Sequence, residues 1–488
     1  MELPALSTFT VIFSTLFTLW ICRFIIQKII TWAHIRAITQ KEGCQNPPSY
    51  PHKDPLFGID LFLLYKKAFE GRKFLDLTWQ LFEKYGKTYQ VNRLGRRYIC
   101  SGAEYLWGDG ITVVEGEKWF VRRKPIKPSF DVVYIGNLEN RSLGRHVERL
   151  MDLIPRDAST VDLMPLFKRL SLDTASKFIF GESMDALKSA GSHKDFLDAY
   201  FYAQRRTAVR LMLEPKLRFL YRDPKWWKDC DIVNNFLDDL VDKALVRQQN
   251  NKSKSAGVEE ELDRLRLIDE MAKATQDRLM LRFQMQNVFT PAHDGAAITL
   301  SKALFHLSRS PGTWKKLRAE VLPSKDLPTT YDLLKTYQYL KNVIRETHRV
   351  TPISTLISRQ CLKEVFFPTG GGKDGTKPLY IGKGDIVEMN FRCTLRDKEF
   401  WGDDADKFRP ERWDTLRPTW EYTPFGGGPR ICPGFRLVFA EVAYTMIKIL
   451  REFERIESRD DRPWTEETRA TFNNLHGTKV ALFPATAI

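Results

Sequence analysis

Nothing in this chain of 488 residues builds a cysteine framework. Its seven cysteines, Cys22, Cys44, Cys100, Cys230, Cys361, Cys393 and Cys432, are odd in number and widely separated, with no C-x-x-C pair and no metal cluster. That pattern argues against a disulfide-stapled scaffold and reads as a reducing compartment. Six of them read as small buried hydrophobes. The net charge is +15, but no single basic block supplies it; lysines and arginines are scattered along the whole length. No zinc-finger spacing or other nucleic-acid signature accompanies them, so nucleic acid is not expected as a partner. A basic balance suits an anionic membrane surface or an acidic electron donor that docks by steering, and suits a merely soluble basic surface equally well. There are no internal repeats. The length allows one large domain or two to three ordinary ones. The aromatic share of 12%, with 32 Phe, fits an apolar cavity for a flat cofactor and fits a Phe-rich core.

The N-terminus is short of charge. Leu3 to Cys22 carries no charged side chain, and about 20 apolar residues is the length that spans a bilayer core of about 30 Å. Arg23, Lys28, Arg36 and Lys41 follow, while only Glu2 precedes. A positive flank stays cytosolic. A cleaved signal peptide would carry basic residues before the apolar run and a small-residue cleavage site after it, and neither is present. Serine and threonine hydroxyls inside the run can bond back to the preceding helical turn. Residues 1–30 are expected to be an uncleaved single-pass anchor, 31–55 a basic, Pro-rich hinge, and 56–488 the catalytic body. Within the hinge, Asn46-Pro47-Pro48-Ser49-Tyr50-Pro51 cannot continue a helix.

Apolar residues fall at helical spacing from Phe74 to Tyr85, and Gly86 stops the run. Tyr89 to Cys100 alternates and reads as a hairpin around Leu94-Gly95-Arg96. Amphipathic helices are expected over residues 137 to 250, then an exposed polar loop from Asn250 to Glu261. A long helical stretch runs from Leu262 to Ser310. Thr313 to Arg349 is helical with a break at Leu322 to Thr330, short strands begin at Pro352, and a final apolar helix runs from about Arg436 to Phe453. The expected class is mainly α with a minor β component.

One cysteine stands apart, in Phe425-Gly426-Gly427-Gly428-Pro429-Arg430-Ile431-Cys432-Pro433-Gly434. Glycines let backbone approach a flat ligand, an arginine lies two residues upstream, and Pro433-Gly434 opens a helix. A thiolate ligand to haem iron needs such N–H groups and positive charge. The competing reading is a glycine-rich turn around a buried cysteine. The spacing F-x-x-G-x-R-x-C-x-G resembles the haem-binding loop of the cytochrome P450 monooxygenases, and the likeness to the microsomal fungal type covers nearly the whole chain after the anchor. The Lys53-Asp54-Pro55-Leu56-Phe57-Gly58-Ile59 and Gly108-Asp109-Gly110-Ile111 stretches resemble the n-alkane and fatty-acid hydroxylase branch. The resemblance implies the cytochrome P450 fold, with haem between a long central helix and the Cys432 loop.

Further residues carry the resemblance. Glu346 and Arg349 form an E-x-x-R on one helix face roughly eighty residues before Cys432. Phe408-Arg409-Pro410-Glu411-Arg412-Trp413 follows, so Glu346, Arg349 and Arg412 are implied to form a buried charged triad that locks the haem loop; the alternative is a solvated ion pair. Trp119 and Arg123 lie one helical turn apart, and both can donate to a haem propionate, as can Arg430. Arg359, ten residues after Arg349, is a further propionate candidate or a surface arginine at a strand start. Phe425 belongs to the haem loop, and Cys432 is the implied axial ligand.

In the central helix, Asn287 to Ala297 matches the family's oxygen-binding bend, with Asp294 as the acid. Pro291 frees the Asn287 carbonyl, at a cost of roughly 3 kcal/mol unless that group is re-satisfied; a local opening is expected there, or simply a break between two helices. The family's threonine is missing, because position 295 is Gly. Thr290 or Thr299, one turn away on either side, or a water is left to serve. A second shortage lies between Cys100 and Leu106, where similar proteins carry a few dozen more residues.

The resemblance implies a haem-thiolate monooxygenase inserting one oxygen atom from O2 into a C–H bond of an apolar substrate (fatty acid, alkane or secondary metabolite). It implies haem b, NADPH used through a partner reductase, and an endoplasmic reticulum membrane location with a cytosolic catalytic domain. Two alternatives are a haem-thiolate isomerase or dehydratase independent of a reductase, and a haem-deficient inactive splice form.

Overall fold

The structure is a computed structural model, and it describes residues 3–54, 58–92, 104–130, 143–188, 193–211, 222–251, 266–468 and 471–485. It divides into two compact units. One comprises Met1–Lys66, Asp76–Leu94 and Ser358–Glu388; the other comprises Lys67–Leu75, Gly95–Ile357 and Met389–Ile488.

The first unit holds the N-terminal helix, Leu3–Lys41, of 39 residues. At 1.5 Å per residue it is about 58 Å long. It continues past residue 30, where the anchor was expected to end, because nothing before Gly43 interrupts helical geometry. Thr15 and Thr18 bond back to the carbonyls of Val11 and Ser14, both at 2.8 Å. Side chains from Thr10 to His34 are exposed, and the segment from Thr10 has the length and hydropathy of a membrane span. The proline segment beyond it is non-helical, as expected. There His52 bonds Asp60 at 2.9 Å through Nδ1 and accepts the Asn92 N–H at 2.8 Å on Nε2. The hairpin Val365–Gly371 with Lys377–Ile381 completes the unit. The strands Leu356–Gln360 and Ile386–Asn390, which pair with each other, begin and end at its boundary.

The second unit is mainly helical with small sheets. Its axis is the helix Arg278–Leu307, capped by Asp277, whose carboxylate accepts the Met280 N–H at 3.0 Å. That cap, with Leu267–Ala274 before it, splits the single stretch expected from 262 to 310. The first part of the central helix, through Phe289, packs into one apolar cluster with helices Leu163–Phe180, Lys194–Leu211, Pro224–Asn251 and Leu267–Ala274. Its last part, from Ala296, packs into another with helices Leu143–Asp152, Pro311–Val321, Gln338–Val350 and Phe435–Glu452. Leu437 packs against both clusters. A three-stranded antiparallel sheet sets Lys479–Pro484 between Val161–Asp162 and Phe453–Ser458, with Val161 opposite Val480 and Ile456 opposite Leu482.

Several expectations fall at the edge of the described residues. The helix Pro224–Asn251 reaches the polar loop expected from Asn250, most of which lies outside them, as do Cys100 and most of the expected hairpin. Of the six cysteines read as buried, Cys230 and Cys393 are; Cys22 is exposed on the apolar N-terminal helix, where no core covers it, and Cys44 and Cys361 are half-buried.

Candidate active site

The Cys432 loop is shaped by its glycines. Gly426 and Gly428 adopt φ of +75° and +67°, a region that side-chain-bearing residues rarely occupy. The turn closes on itself: the Cys432 N–H donates to the Phe425 carbonyl at 3.0 Å, and the Ile431 N–H to that of Gly428 at 3.1 Å. The Phe425 ring packs edge-on against His348, 5.0 Å between centroids. Burial pushes the Cys432 thiol up, while the Gly434 N–H bonded to it and the nearby Arg123 guanidinium pull it down. Burial prevails, so loss of the proton needs a further positive charge at the sulfur.

Cations gather beside this loop. The helix Gly116–Ile126 presents Trp119 and Arg123. Arg123 donates to the Ile431 carbonyl at 2.8 Å, and Arg430 to the Val114 carbonyl at 2.7 Å. Both guanidiniums lie over the Trp119 ring, Arg430 at 4.9 Å and Arg123 at 6.0 Å from its centroid.

The central helix is less covered between the two apolar clusters. Residues 284–289 and 296–305 are buried, whereas Thr290, Ala292, Asp294 and Gly295 are half-buried and Pro291 is exposed. The helix runs continuously through Pro291, so neither the local opening nor the break between two helices expected there is seen. Asp294 accepts a bond from the Thr471 hydroxyl at 3.3 Å and lies 3.8 Å from His293 Nε2. Position 295 faces the helix after Cys432: a Cβ there would lie 3.4 Å from Val438 Cγ2. Both candidate threonines bond the preceding turn, Thr290 to the Gln286 carbonyl and Thr299 to that of Gly295, each at 2.8 Å. Thr290 still accepts from the Tyr200 hydroxyl at 3.1 Å.

Glu346, Arg349 and Arg412 meet with no side-chain exposure. Arg349 reaches the carboxylate with Nε at 2.9 Å and Nη2 at 2.8 Å, and Arg412 Nε reaches it at 2.9 Å. The Arg409 N–H at 2.9 Å and the Trp413 indole at 3.0 Å also donate to it. Arg359 is exposed in the first unit, bonded to the Ser358 carbonyl at 2.9 Å.

The cytochrome P450 family model matches residues 101–479. This chain belongs to the cytochrome P450 family. Its mainly helical architecture, with small sheets, is that of a cytochrome P450. Cytochrome P450 monooxygenase apdE of Emericella nidulans is 33% identical over 481 aligned positions, covering 93% of this chain and 92% of the relative. Cytochrome P450 monooxygenase iccC of Talaromyces variabilis is 34% identical over 476, covering 90% and 92%. Cytochrome P450 monooxygenase tenA of Beauveria bassiana is 30% identical, covering 91% and 92%. The covered 90% of these 488 residues is fewer than 476, so iccC carries residues without a counterpart in this P450. The relatives are fungal P450s; they do not single out the alkane and fatty-acid branch.

The P450 site fits a haem by its donor set. One sulfur, with an N–H and a guanidinium beside it, faces iron-ligand chemistry, and two guanidiniums with an indole suit the ring's carboxylates. Sequence reasoning missed Glu441 and Gln284 of this P450, and the side-chain role of Asn287. Glu441, on the helix after Cys432, has its carboxyl pushed up to about 7 by burial, with Thr174 bonded to it. Gln284 and Asn287 bond backbone of residues 107–122. A Glu nine residues after Cys432, and two amides three apart on one helix, were the available signals.

Proposed function

We propose that this cytochrome P450 is a haem-thiolate monooxygenase with Cys432 as the axial iron ligand. The observation that carries this reading is the half-buried Cys432 thiol, held in a glycine-shaped loop with the Gly434 N–H and Arg123 beside it. When bound, haem held by a thiolate supplies oxygen activation, because the sulfur pushes electron density onto iron and favours O–O cleavage.

The chain's own residues supply the rest. Trp119, Arg123 and Arg430 would hold the carboxylates of haem b. Phe425 shields the sulfur side of the loop. Asp294 presents its carboxylate within the half-buried stretch of the central helix as the relay for a proton, and with Gly295 in place of a hydroxyl-bearing residue, water beside that carboxylate carries the proton onward. The buried triad fixes the segment that leads into the Cys432 loop. The apolar clusters on both sides exclude bulk water and favour an apolar substrate presenting a C–H bond, such as a fatty acid, an alkane or a secondary metabolite.

Electrons come from NADPH through a partner reductase. Lys341, Arg345 and Arg436 line a cavity of about 330 Å³ that also includes Phe425, and this charge suits an acidic donor surface. The exposed apolar helix Leu3–Lys41 is read as the membrane anchor, with the positive flank and the catalytic body on the cytosolic side of the endoplasmic reticulum. The carbon monoxide difference spectrum of membranes carrying the full chain tests the reading. A thiolate-type red-shifted band is expected, lost in Cys432→Ala; its survival in that variant, or its absence from the unaltered protein, overturns the assignment.

A further inference from the structure

Two amides on one turn of the central helix hold a stretch of chain that is distant in sequence. Gln284 is fully buried and Asn287 is 2% exposed; three positions apart, they share a helix face. Gln284 Oε1 accepts the Ile111 N–H at 2.8 Å, and its Nε2 donates to the Arg122 carbonyl at 2.9 Å. Asn287 Oδ1 accepts the Thr112 N–H at 3.1 Å and also the Thr112 hydroxyl. Its Nδ2 donates to the carbonyls of Trp107 and Phe283, both at 2.8 Å. The approach is this close because residue 110 has no side chain: a Cβ on Gly110 would come within 2.0 Å of Asn287 Nδ2.

The pinned backbone brackets the cation cluster. Val114, whose carbonyl receives Arg430, and Trp119, over which both guanidiniums lie, fall between the pinned residues Thr112 and Arg122. Arg123, which reaches the Ile431 carbonyl, comes directly after Arg122. A slip of this stretch along the central helix would move Trp119 and Arg123 together, relative to Arg430 and the loop.

We propose that Gln284 and Asn287 are positioning residues that set the register of Trp119 and Arg123 against Arg430 and the Cys432 loop, and so set how tightly a ring bearing carboxylates is gripped. The proposal rests on the haem reading above. Losing either buried amide strands the backbone groups it holds, and a stranded buried group is costlier than the bond itself is favourable. The loss is felt at the grip first, since three of the four backbone groups these amides hold outside their own helix lie between Trp107 and Thr112, and the fourth is at Arg122.

The test uses the full-length haem-loaded protein, following transfer of the ring to apomyoglobin together with the carbon monoxide difference spectrum. Asn287→Ala is expected to release the ring at least tenfold faster, with the band position unchanged because Cys432 is untouched. Val321→Ala, a core truncation on another helix, is the control for general loosening and is expected to change release less than twofold at a comparable unfolding midpoint. Gly110→Ala is expected to accelerate release strongly in the unaltered background and much less in Asn287→Ala, where the amide it would strike is gone. The proposal is overturned if Asn287→Ala releases the ring no faster than Val321→Ala, or if Gly110→Ala has the same effect in both backgrounds. An unaltered protein without the carbon monoxide band overturns the haem reading instead.

Discussion

Replacing Glu346 by Gln keeps the volume of the side chain and removes one buried charge. In the native protein that carboxylate takes two bonds from Arg349, one from Arg412, one from the Arg409 N–H and one from the Trp413 indole. With Gln, one oxygen becomes a donor and faces other donors; Arg349, without exposure, loses its carboxylate partner, and Arg412 loses one of its two. Breaking a buried pair from one side costs about 3–5 kcal/mol, mostly as the penalty on the charge left behind. Arg412 keeps Asp404 at 3.2 Å, and Arg349 keeps the carbonyls of Leu395 at 3.0 Å and Ala405 at 2.6 Å, so the two losses do not simply add. A total near 4 kcal/mol is expected, a large part of the 5–15 kcal/mol that holds a typical protein folded. Urea unfolding of the haem-loaded protein measures it, with Lys194→Ala as the comparison. Lys194 pairs with Asp198 at 2.6 Å, but both side chains are 66% exposed, and such surface pairs contribute about 0–1 kcal/mol. A Glu346→Gln midpoint no lower than that of Lys194→Ala would refute the reasoning, since the triad would then be energetically equivalent to a surface pair.

Glu441 sets a pH dependence of its own. Burial raises its carboxyl from 4.5 to about 7 in the folded chain, so the folded state binds the proton more tightly than the unfolded one. Its contribution is present at low pH and is lost as pH rises from 4.5 to about 7, by roughly 3 kcal/mol. Glu441→Gln should therefore gain stability relative to the unaltered protein between pH 5 and 8, read from urea midpoints; parallel curves would sink the idea. Gly295→Ala should raise the unfolding free energy by up to about 1 kcal/mol from helix propensity alone, because the new methyl meets Val438 Cγ2 at 3.4 Å, the near edge of ordinary contact; a drop of similar size would show that Val438 has no room to give.

The parts of the fold written in local sequence were the readable ones. The helix Phe74–Tyr85 and its stop at Gly86, with φ of +89°, follow from period and a single glycine. The triad was legible only through the family resemblance: Glu and Arg one turn apart are common in helices, and it was the likeness of the Phe408–Trp413 segment that marked Arg412 as their partner. Harder to read was anything that depends on the partner across the core. Asn287 was noticed for its carbonyl, whereas its amide is what binds, and that partner lies 180 positions away at Trp107. Thr290 and Thr299 were offered as hydroxyl donors to the expected opening, but a threonine inside a helix finds the carbonyl four residues back first. The N-cap at Asp277 was a missed local signal; apolar periodicity on both sides of it hid the break.

The place of Lys479–Pro484 between two partner strands has a consequence for synthesis. Val161–Asp162 is synthesised long before the strand Lys479–Pro484 that pairs with it, and Phe453–Ser458 only shortly before. Until that strand is made, the earlier segment lacks its sheet partner, the kind of unpaired edge that aggregates or recruits chaperones. A chain stalled or truncated before Lys479 would hold most of its helices and still lack the piece that seals this sheet, so quality control in the cell has a late and specific signal to read.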